Sequence, residues 1–193
     1  MSDVHDEDSA TCGRHEPWYL RPSDGDAARF LAADGLPAMR LIPYPDELSG
    51  VLRLCDDATG LLIGPNDRRL VTIGLLISAL RGTRYHAKEC KEGDFQPGAP
   101  VHLVPEPDNS YDRYAVAVWD ETRHFKAAYV NKQKARLYLK RSQHEADLAA
   151  IAIRGSAAGE ECPQVSVLVA RHPVIRHLLT PRPAMAPTPA YLR

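Results

Sequence analysis

The segment from Glu106 to Val118 concentrates the side chains of this chain that are best suited to hold one exposed nucleotide. Its polar part reads Glu-Pro-Asp-Asn-Ser-Tyr-Asp-Arg-Tyr over residues 106–114, and a second tyrosine, Tyr85, lies upstream. A base stacked on an aromatic side chain gains about 1–3 kcal/mol without its sequence being read. Tyr85 and Tyr111 are therefore candidates to sandwich a single base.

Three charged side chains could complement the two rings. Arg84 offers a planar guanidinium that suits phosphate, and Lys132 begins a predicted helix whose N-terminal end would attract a phosphate together with the ammonium. Asp112 would repel a phosphate, so its carboxylate fits better as an acceptor for a neutral donor. A terminal 3′-hydroxyl is such a donor, and an internal nucleotide of DNA lacks it.

Each of these residues also has a purely structural interpretation. Asp108 and Asn109 are typical of turns, and Asp112 could cap the loop through hydrogen bonds to nearby backbone. Tyrosines are common in protein cores, and cations such as Lys134 and Arg136 on an exposed helix are commonly only a solvated face. From the residues alone, both interpretations stay open.

The charge of the chain is unevenly distributed along it. The 193 residues carry a net charge of −1, with 44% hydrophobic and 25% charged residues, which is ordinary for one globular domain. Residues 1–70 contain 13 acids and 7 bases, whereas residues 81–141 contain 12 bases and 8 acids. Such a local excess of positive charge suits contact with a few phosphates, and it predicts weak, salt-sensitive binding.

Several classes of protein are disfavoured by the composition. The four cysteines, Cys12, Cys55, Cys90 and Cys162, show no zinc-type spacing, so we expect neither a metal nor a cofactor. No apolar run approaches the ~20 residues that span a membrane, and the acidic start is unlike a signal peptide, which predicts a cytoplasmic protein. No set of carboxylates, histidines or cysteines indicates catalysis, so we expect no enzyme; a nuclease is the remaining catalytic alternative.

Composition divides the chain into four predicted segments. Residues 1–37 form an acidic, flexible arm with a short helical pattern at Asp26–Leu31, and residues 38–73 form a β-rich extension. Residues 74–179 form the main domain, and the proline-rich residues 180–193 form a tail. We expect strands at 100–104, 115–119, 124–130 and 164–169. The uncharged run 71–80 fits a buried strand or a short helix, and its continuation toward Tyr85 favours a strand. Helices are expected from the N-cap Asn131 to Leu139 and over 145–151, with the histidines after residue 170 on strand ends or loops.

The order of these motifs resembles the HIRAN domain, a module of some fork-remodelling helicase-like ATPases that also occurs as a stand-alone bacterial protein. The resemblance covers about residues 74–170. It rests on Gly-Thr-Arg-Tyr-His at 82–86, on the string from Val101 to Asp112 followed by Ala-Val-Ala-Val, and on Ala-Tyr-Val at 128–130 before a helix. It implies a mainly β fold with helices (α+β): a small OB-like β-barrel flanked by helices, here with a β-rich N-terminal extension.

The resemblance also implies a function and a role for each matching residue. The function is non-catalytic binding of single-stranded DNA with a preference for a free 3′-hydroxyl end, which would serve a protein partner in DNA repair or replication. Arg84 and Lys132 would contact phosphate, Tyr85 and Tyr111 would flank the terminal base, Asn109 would contact the terminal nucleotide, and Asp112 would bond the 3′-hydroxyl. Where HIRAN domains usually have glycine and proline, this chain has Ala128 and Asn131. The alternative is a protein-interaction module with a vestigial nucleotide pocket.

Overall fold

The computed structural model describes residues 19–21, 25–44, 51–162 and 164–182, which form two antiparallel sheets and several short helices. The strands in this part of the chain are β1 (Met39–Tyr44), β2 (Val51–Asp56), β3 (Leu62–Ile63), β4 (Leu76–Ala79), β5 (Pro100–Glu106), β6 (Ala115–Asp120), β7 (Lys126–Tyr129), β8 (Leu148–Arg154) and β9 (Ser166–Arg171). The α-helices are α1 (Arg68–Thr72), α2 (Ala87–Glu92), α3 (Lys132–Ser142) and α4 (His172–Leu179), and two 3₁₀ turns span Ala27–Phe30 and Thr83–His86.

The larger sheet has six strands in the order β4-β9-β8-β5-β6-β7, and each pair of neighbours is antiparallel. Its two edges approach each other just beyond β4. There the Arg81 amide donates to the Tyr129 carbonyl at 2.8 Å, and the Tyr129 amide donates back at 3.2 Å. The sheet therefore curls into a half-barrel. This confirms the predicted α+β class, with a small curved barrel, flanking helices and a β-rich N-terminal extension.

Strands β8 and β9 separate two hydrophobic cores. Side chains alternate across a strand, and on β8 Ile151 and Ile153 pack into one core while Ala150 and Ala152 pack into the other. The second core fills the half-barrel around Phe95, which is fully buried. Because both faces of β8 are covered, its sequence shows little polar alternation.

The first core joins the half-barrel to the smaller sheet, whose strands are ordered β1-β2-β3. Met39 of β1 and Val174 of α4 pack in this core, together with Phe30, which has no exposed surface. The described part of residues 19–37 is thus tied to the fold, and Arg69 also donates to the Gly25 carbonyl at 2.9 Å. The predicted boundary at residue 37 stays a prediction. The acidic residues 1–18 and most of the predicted tail, residues 183–193, lie outside the described residues.

Three segments differ from the sequence-based expectation. The helix predicted over residues 145–151 is wrong: α3 ends at Ser142, and β8 occupies residues 148–154. Its alanines favour helix locally, but pairing with β5 and β9 on either side decides the structure. Within the run 71–80, residues 71 and 72 end helix α1 and only Leu76–Ala79 form a strand, so the strand expected to continue toward Tyr85 stops at Ala79. A 3₁₀ turn follows, which begins after Gly82 at a φ of 90°, a conformation that glycine adopts without strain.

The third difference is helix α4, where strand ends or loops were expected. Pro173 lies in its first turn, where the missing amide hydrogen costs nothing. Val174, Ile175 and Leu178 are buried against the smaller sheet and β8–β9. Their spacing is a helical stripe, which the neighbouring histidines and arginines obscured. No helix in the described ranges is long and apolar enough to cross a membrane.

Candidate nucleic-acid interface

The 3₁₀ turn Thr83–His86 presents Tyr85 to solvent. The Tyr85 amide closes the turn by donating to the Gly82 carbonyl at 2.9 Å, and 72% of the Tyr85 residue surface is exposed. The Arg84 guanidinium carbon lies 4.6 Å from the centroid of the Tyr85 ring, and Arg84 also donates to the tyrosine hydroxyl. The turn packs beside β7, where the rings of His86 and Tyr129 are 6.1 Å apart. The turn therefore offers a flat ring with a cation resting on it.

The loop between β5 and β6 is organised by the side chain of Asn109. Its Oδ1 accepts from the amides of Tyr111 at 3.0 Å and Asp112 at 3.3 Å, and its Nδ2 donates to Glu106 Oε2 at 3.1 Å. This arrangement leaves 96% of the Tyr111 residue surface exposed. Exposing an aromatic ring to water is unfavourable, so a ring this exposed is available to stack on a planar ligand.

Asp112 and Lys132 face each other across the same groove. Lys132 Nζ lies 3.6 Å from Asp112 Oδ2, and the lysine side chain is 63% exposed. The hydrogen bond from the Tyr114 amide lowers the pKa of Asp112, desolvation opposes it, and the Lys132 charge adds to the lowering, so the pKa lies below its usual value. At neutral pH the carboxylate is therefore ionised and can only accept hydrogen bonds.

Two hydrogen bonds of Asn131 anchor the N-terminus of α3, where Lys132 lies. The Asn131 side chain caps the helix by accepting from the Gln133 amide at 3.1 Å, as its sequence position predicted. The Asn131 amide donates in turn to Ser78 Oγ of β4 at 3.1 Å. This bond ties the helix N-terminus to the far edge of the half-barrel, so the ammonium of Lys132 projects from an anchored backbone.

These segments enclose a groove of about 990 Å³. Five of the six predicted site residues line it, and the sixth, Arg84, is outside the lining but rests on the ring of Tyr85. The lining residues from the prediction are Tyr85, Asn109, Tyr111, Asp112 and Lys132. The others are Arg81, His86, Ser110, Tyr114, Ala115, Tyr129, Val130, Asn131 and Ala135.

Some of these lining residues were not singled out from the sequence, although signals were present. His86 and Tyr129 belong to two of the three strings that carry the family resemblance, and Arg81 directly precedes the first string. Arg81 reaches the groove because the bridge between its backbone and that of Tyr129 closes the half-barrel at this point. That closure joins segments almost 50 residues apart, and local patterns do not report it.

A charged network supports the loop from below. Glu106 accepts from the Tyr129 hydroxyl at 3.0 Å, and Lys126 Nζ lies 3.0 Å from that hydroxyl and 3.4 Å from Glu106 Oε1. Burial alone would raise the pKa of Glu106, but the bonds from Asn109 and Tyr129 and the Lys126 charge outweigh it and lower the pKa. The pKa of Lys126 is raised, since these partners outweigh its own partial burial.

The groove combines stacking surfaces, cations and one anionic acceptor, which are the side-chain types that could hold a nucleotide. Among the described residues, no three histidine, cysteine, aspartate or glutamate side chains cluster so that they could hold a metal ion. The two exposed rings suit a base, Lys132 and Arg84 suit phosphate, and the ionised Asp112 suits a hydroxyl.

Comparison with known proteins places these features in a family. Residues 73–151 match the family model of the HIRAN domain. This part of the chain is a HIRAN domain. All residues that line the groove lie within the HIRAN match.

Two solved structures resemble the chain. The crystal structure of the HIRAN domain of human HLTF is 18% identical over 54% of this chain and 83% of that chain, with a TM-score of 0.36. A protein from Lactobacillus plantarum is 19% identical over 50% of this chain and 92% of its own, with a TM-score of 0.34. No curated protein matches the chain.

Proposed function

We propose that the HIRAN domain of this chain binds single-stranded DNA at a free 3′-hydroxyl end and catalyses no reaction. The observation that carries the proposal is the pairing of an anionic acceptor with a cation: Asp112 Oδ2 lies 3.6 Å from Lys132 Nζ, in a groove that also contains two exposed tyrosines. The domain would deliver a protein partner in DNA repair or replication to strand ends.

Each side chain takes one part of a terminal nucleotide. The base stacks on Tyr85 and Tyr111, and the phosphate on its 5′ side binds Lys132 with the help of Arg84. The 3′-hydroxyl donates to the Asp112 carboxylate. A 3′-phosphate in that place has no hydrogen to give at neutral pH when fully ionised, and it brings negative charge toward a carboxylate. Asp112 therefore selects the hydroxyl end by accepting it and by repelling the phosphate.

Fluorescence anisotropy tests the proposal with short 5′-labelled oligonucleotides that end in a 3′-hydroxyl or a 3′-phosphate, at low and moderate salt. The wild-type protein should prefer the hydroxyl. Asp112→Asn, which keeps the size of the side chain, should lose the preference because the amide can donate to a phosphate. Glu121→Gln makes the same charge change beyond the other end of β6 and should keep the preference.

Equal affinity of the wild-type protein for the two ends would refute end recognition. Binding of neither oligonucleotide at low salt would instead favour the interaction-module alternative, in which the groove no longer serves a nucleotide.

A further inference from the structure

Helix α3 carries a row of cations that begins at the groove and leads away from it. Lys132, Arg136 and Lys140 are spaced by four residues, so they lie along one flank of the helix, and all three are exposed. Arg113, which is also exposed, belongs to the same surface through Tyr114. We call Arg113, Arg136 and Lys140 the α3 stripe.

Tyr114 holds the two arginines of the stripe. The guanidinium carbons of Arg113 and Arg136 lie 4.7 Å and 4.9 Å from the centroid of the Tyr114 ring. A guanidinium that stacks on a ring is held by cation–π attraction, and its N–H groups at the edge remain available to a phosphate. Part of the entropy of ordering these long side chains is thus already lost before a ligand binds.

In the part of the chain that the structure describes, the cations of the stripe form no ion pair, although the charge of Arg136 contributes to the lowered pKa of Asp112. Within the described residues, none of the ion pairs includes Arg113, Arg136 or Lys140. On the same helix, by contrast, Arg141 forms a two-pronged pair with Glu145 at 2.8 Å. Neighbouring unpaired cations repel one another, and an anion that binds between them relieves this repulsion.

The stripe is continuous with the groove. A second cavity of about 380 Å³ is lined by Tyr114, Arg136, Lys140 and their helix neighbours Leu139 and Gln143. Tyr114 lines both cavities, so a chain that leaves the groove past this ring enters the second cavity directly.

We propose that the α3 stripe binds the sugar-phosphate backbone of the DNA strand on the 5′ side of the terminal nucleotide. This inference rests on the proposed binding of a 3′ end in the groove. From Lys132 to Lys140 the helix rises about 12 Å, the length of roughly three to four nucleotides at the ~3.4 Å rise of a stacked strand. The stripe contacts only phosphates and reads no base sequence.

The test compares oligothymidylates of two and eight nucleotides, both 5′-labelled and with a 3′-hydroxyl, by anisotropy at several salt concentrations. The stripe variant is Arg136→Gln/Lys140→Gln. The control variant Lys134→Gln/Arg176→Gln removes the same charge. Lys134 lies roughly 160° around α3 from Arg136, and Arg176 is on the exposed side of α4.

The expected result is a loss that depends on length. The stripe variant should bind the dinucleotide within about twofold of wild type and lose about tenfold for the octamer. Its slope of log affinity against log salt should be smaller by about 1.4, so its affinity should fall about sevenfold less than that of wild type between 50 and 200 mM salt. The control variant should behave like wild type with both ligands.

Two results would overturn the inference. If the stripe and control variants bind the octamer with the same affinity and salt slope, the stripe is only a solvated helix face. If the stripe variant loses affinity for a blunt duplex but none for the octamer, the phosphates come from a complementary strand and the single-strand path is wrong. The proposed function is judged separately, by comparing the affinities of the wild-type protein for dinucleotides that end in a 3′-hydroxyl and in a 3′-phosphate. A dinucleotide occupies only the groove and does not reach the stripe.

Discussion

Replacing Asn109 by alanine tests whether this residue acts by shaping the loop or by touching DNA. The family resemblance implies a contact with the terminal nucleotide, whereas in the structure the amide is engaged in three hydrogen bonds within the protein. Two of them hold the backbone amides of Tyr111 and Asp112, and the third ties the loop to Glu106. In the shaping role, Asn109→Ala weakens DNA binding because Asp112 and Tyr111 lose their fixed positions.

The hydrogen bonds set the size of the effect. At about 1 kcal/mol net for each, the three bonds give an upper limit of about 3 kcal/mol. The freed amides of Tyr111 and Asp112 are in an exposed loop and can bond to water, so we expect about half of that limit, roughly 1.4 kcal/mol. This corresponds to a tenfold loss of affinity for a 3′-hydroxyl oligonucleotide. Gln133→Ala, which removes an amide from an exposed side chain that does not line the groove, should change affinity by less than about twofold.

A double-mutant cycle with Asp112→Asn separates the two roles. If Asn109 acts by positioning Asp112, Asn109→Ala should weaken DNA binding much less in the Asp112→Asn background than in the wild-type protein. The coupling energy should then be at least about 0.5 kcal/mol. The affinities come from anisotropy titrations, and thermal unfolding of each variant shows that the fold is retained. Strictly additive losses would refute the positioning argument and favour a direct contact between Asn109 and the nucleotide.

Two further predictions concern stability. A Cβ on Gly155 would lie 2.1 Å from the backbone oxygen of Phe95, whereas one on Gly159, also at a positive φ, meets nothing within 4 Å. Gly159→Ala should therefore lower the free energy of unfolding in urea by about 1–2 kcal/mol, and Gly155→Ala should lower it clearly more. Equal losses would contradict the packing argument. Because the pKa of Glu106 is lowered, its stabilising effect is present above the unfolded-state value of about 4.3 and is lost as pH falls through the folded value. The difference in unfolding free energy between wild type and Glu106→Gln should shrink below pH ~4, and a constant difference down to pH 3 would contradict this assignment.

The strands around the groove were predictable because their residues carry local signals. Residues 101–104 alternate apolar and polar side chains, and residues 115–119 alternate alanine and valine before a tryptophan. These runs became β5 and β6 with small changes at their ends. The helix prediction for residues 145–151 was wrong because alanine favours a helix only where tertiary contacts do not override this preference. Here β8 lies between β5 and β9 and between the two cores, and Ala150 and Ala152 pack in the interior of the half-barrel.

The candidate site was predictable as a set of residue types but not as a geometry. Tyr111 and Asp112 stood out through the string that carries them, and the structure brings them to one groove with Lys132. The neighbouring Glu106 network could not be seen, since Lys126 and Tyr129 reach Glu106 only through the pairing of β5, β6 and β7. Long-range pairing of this kind leaves no periodicity in the local sequence.

For residues 81–141, the ion pairs in the structure show which cations remain to bind phosphate, and the net charge counted from the sequence does not. From composition, four excess positive charges predict weak, salt-sensitive contact with a few phosphates, without saying which cations make it. In the structure, cations such as Lys91 and Arg141 are neutralised by Glu161 and Glu145. The α3 stripe forms no ion pair among the described residues. Since the salt dependence of binding counts the cations that meet phosphates and not the net charge, a few residues beside the groove should account for nearly all of it.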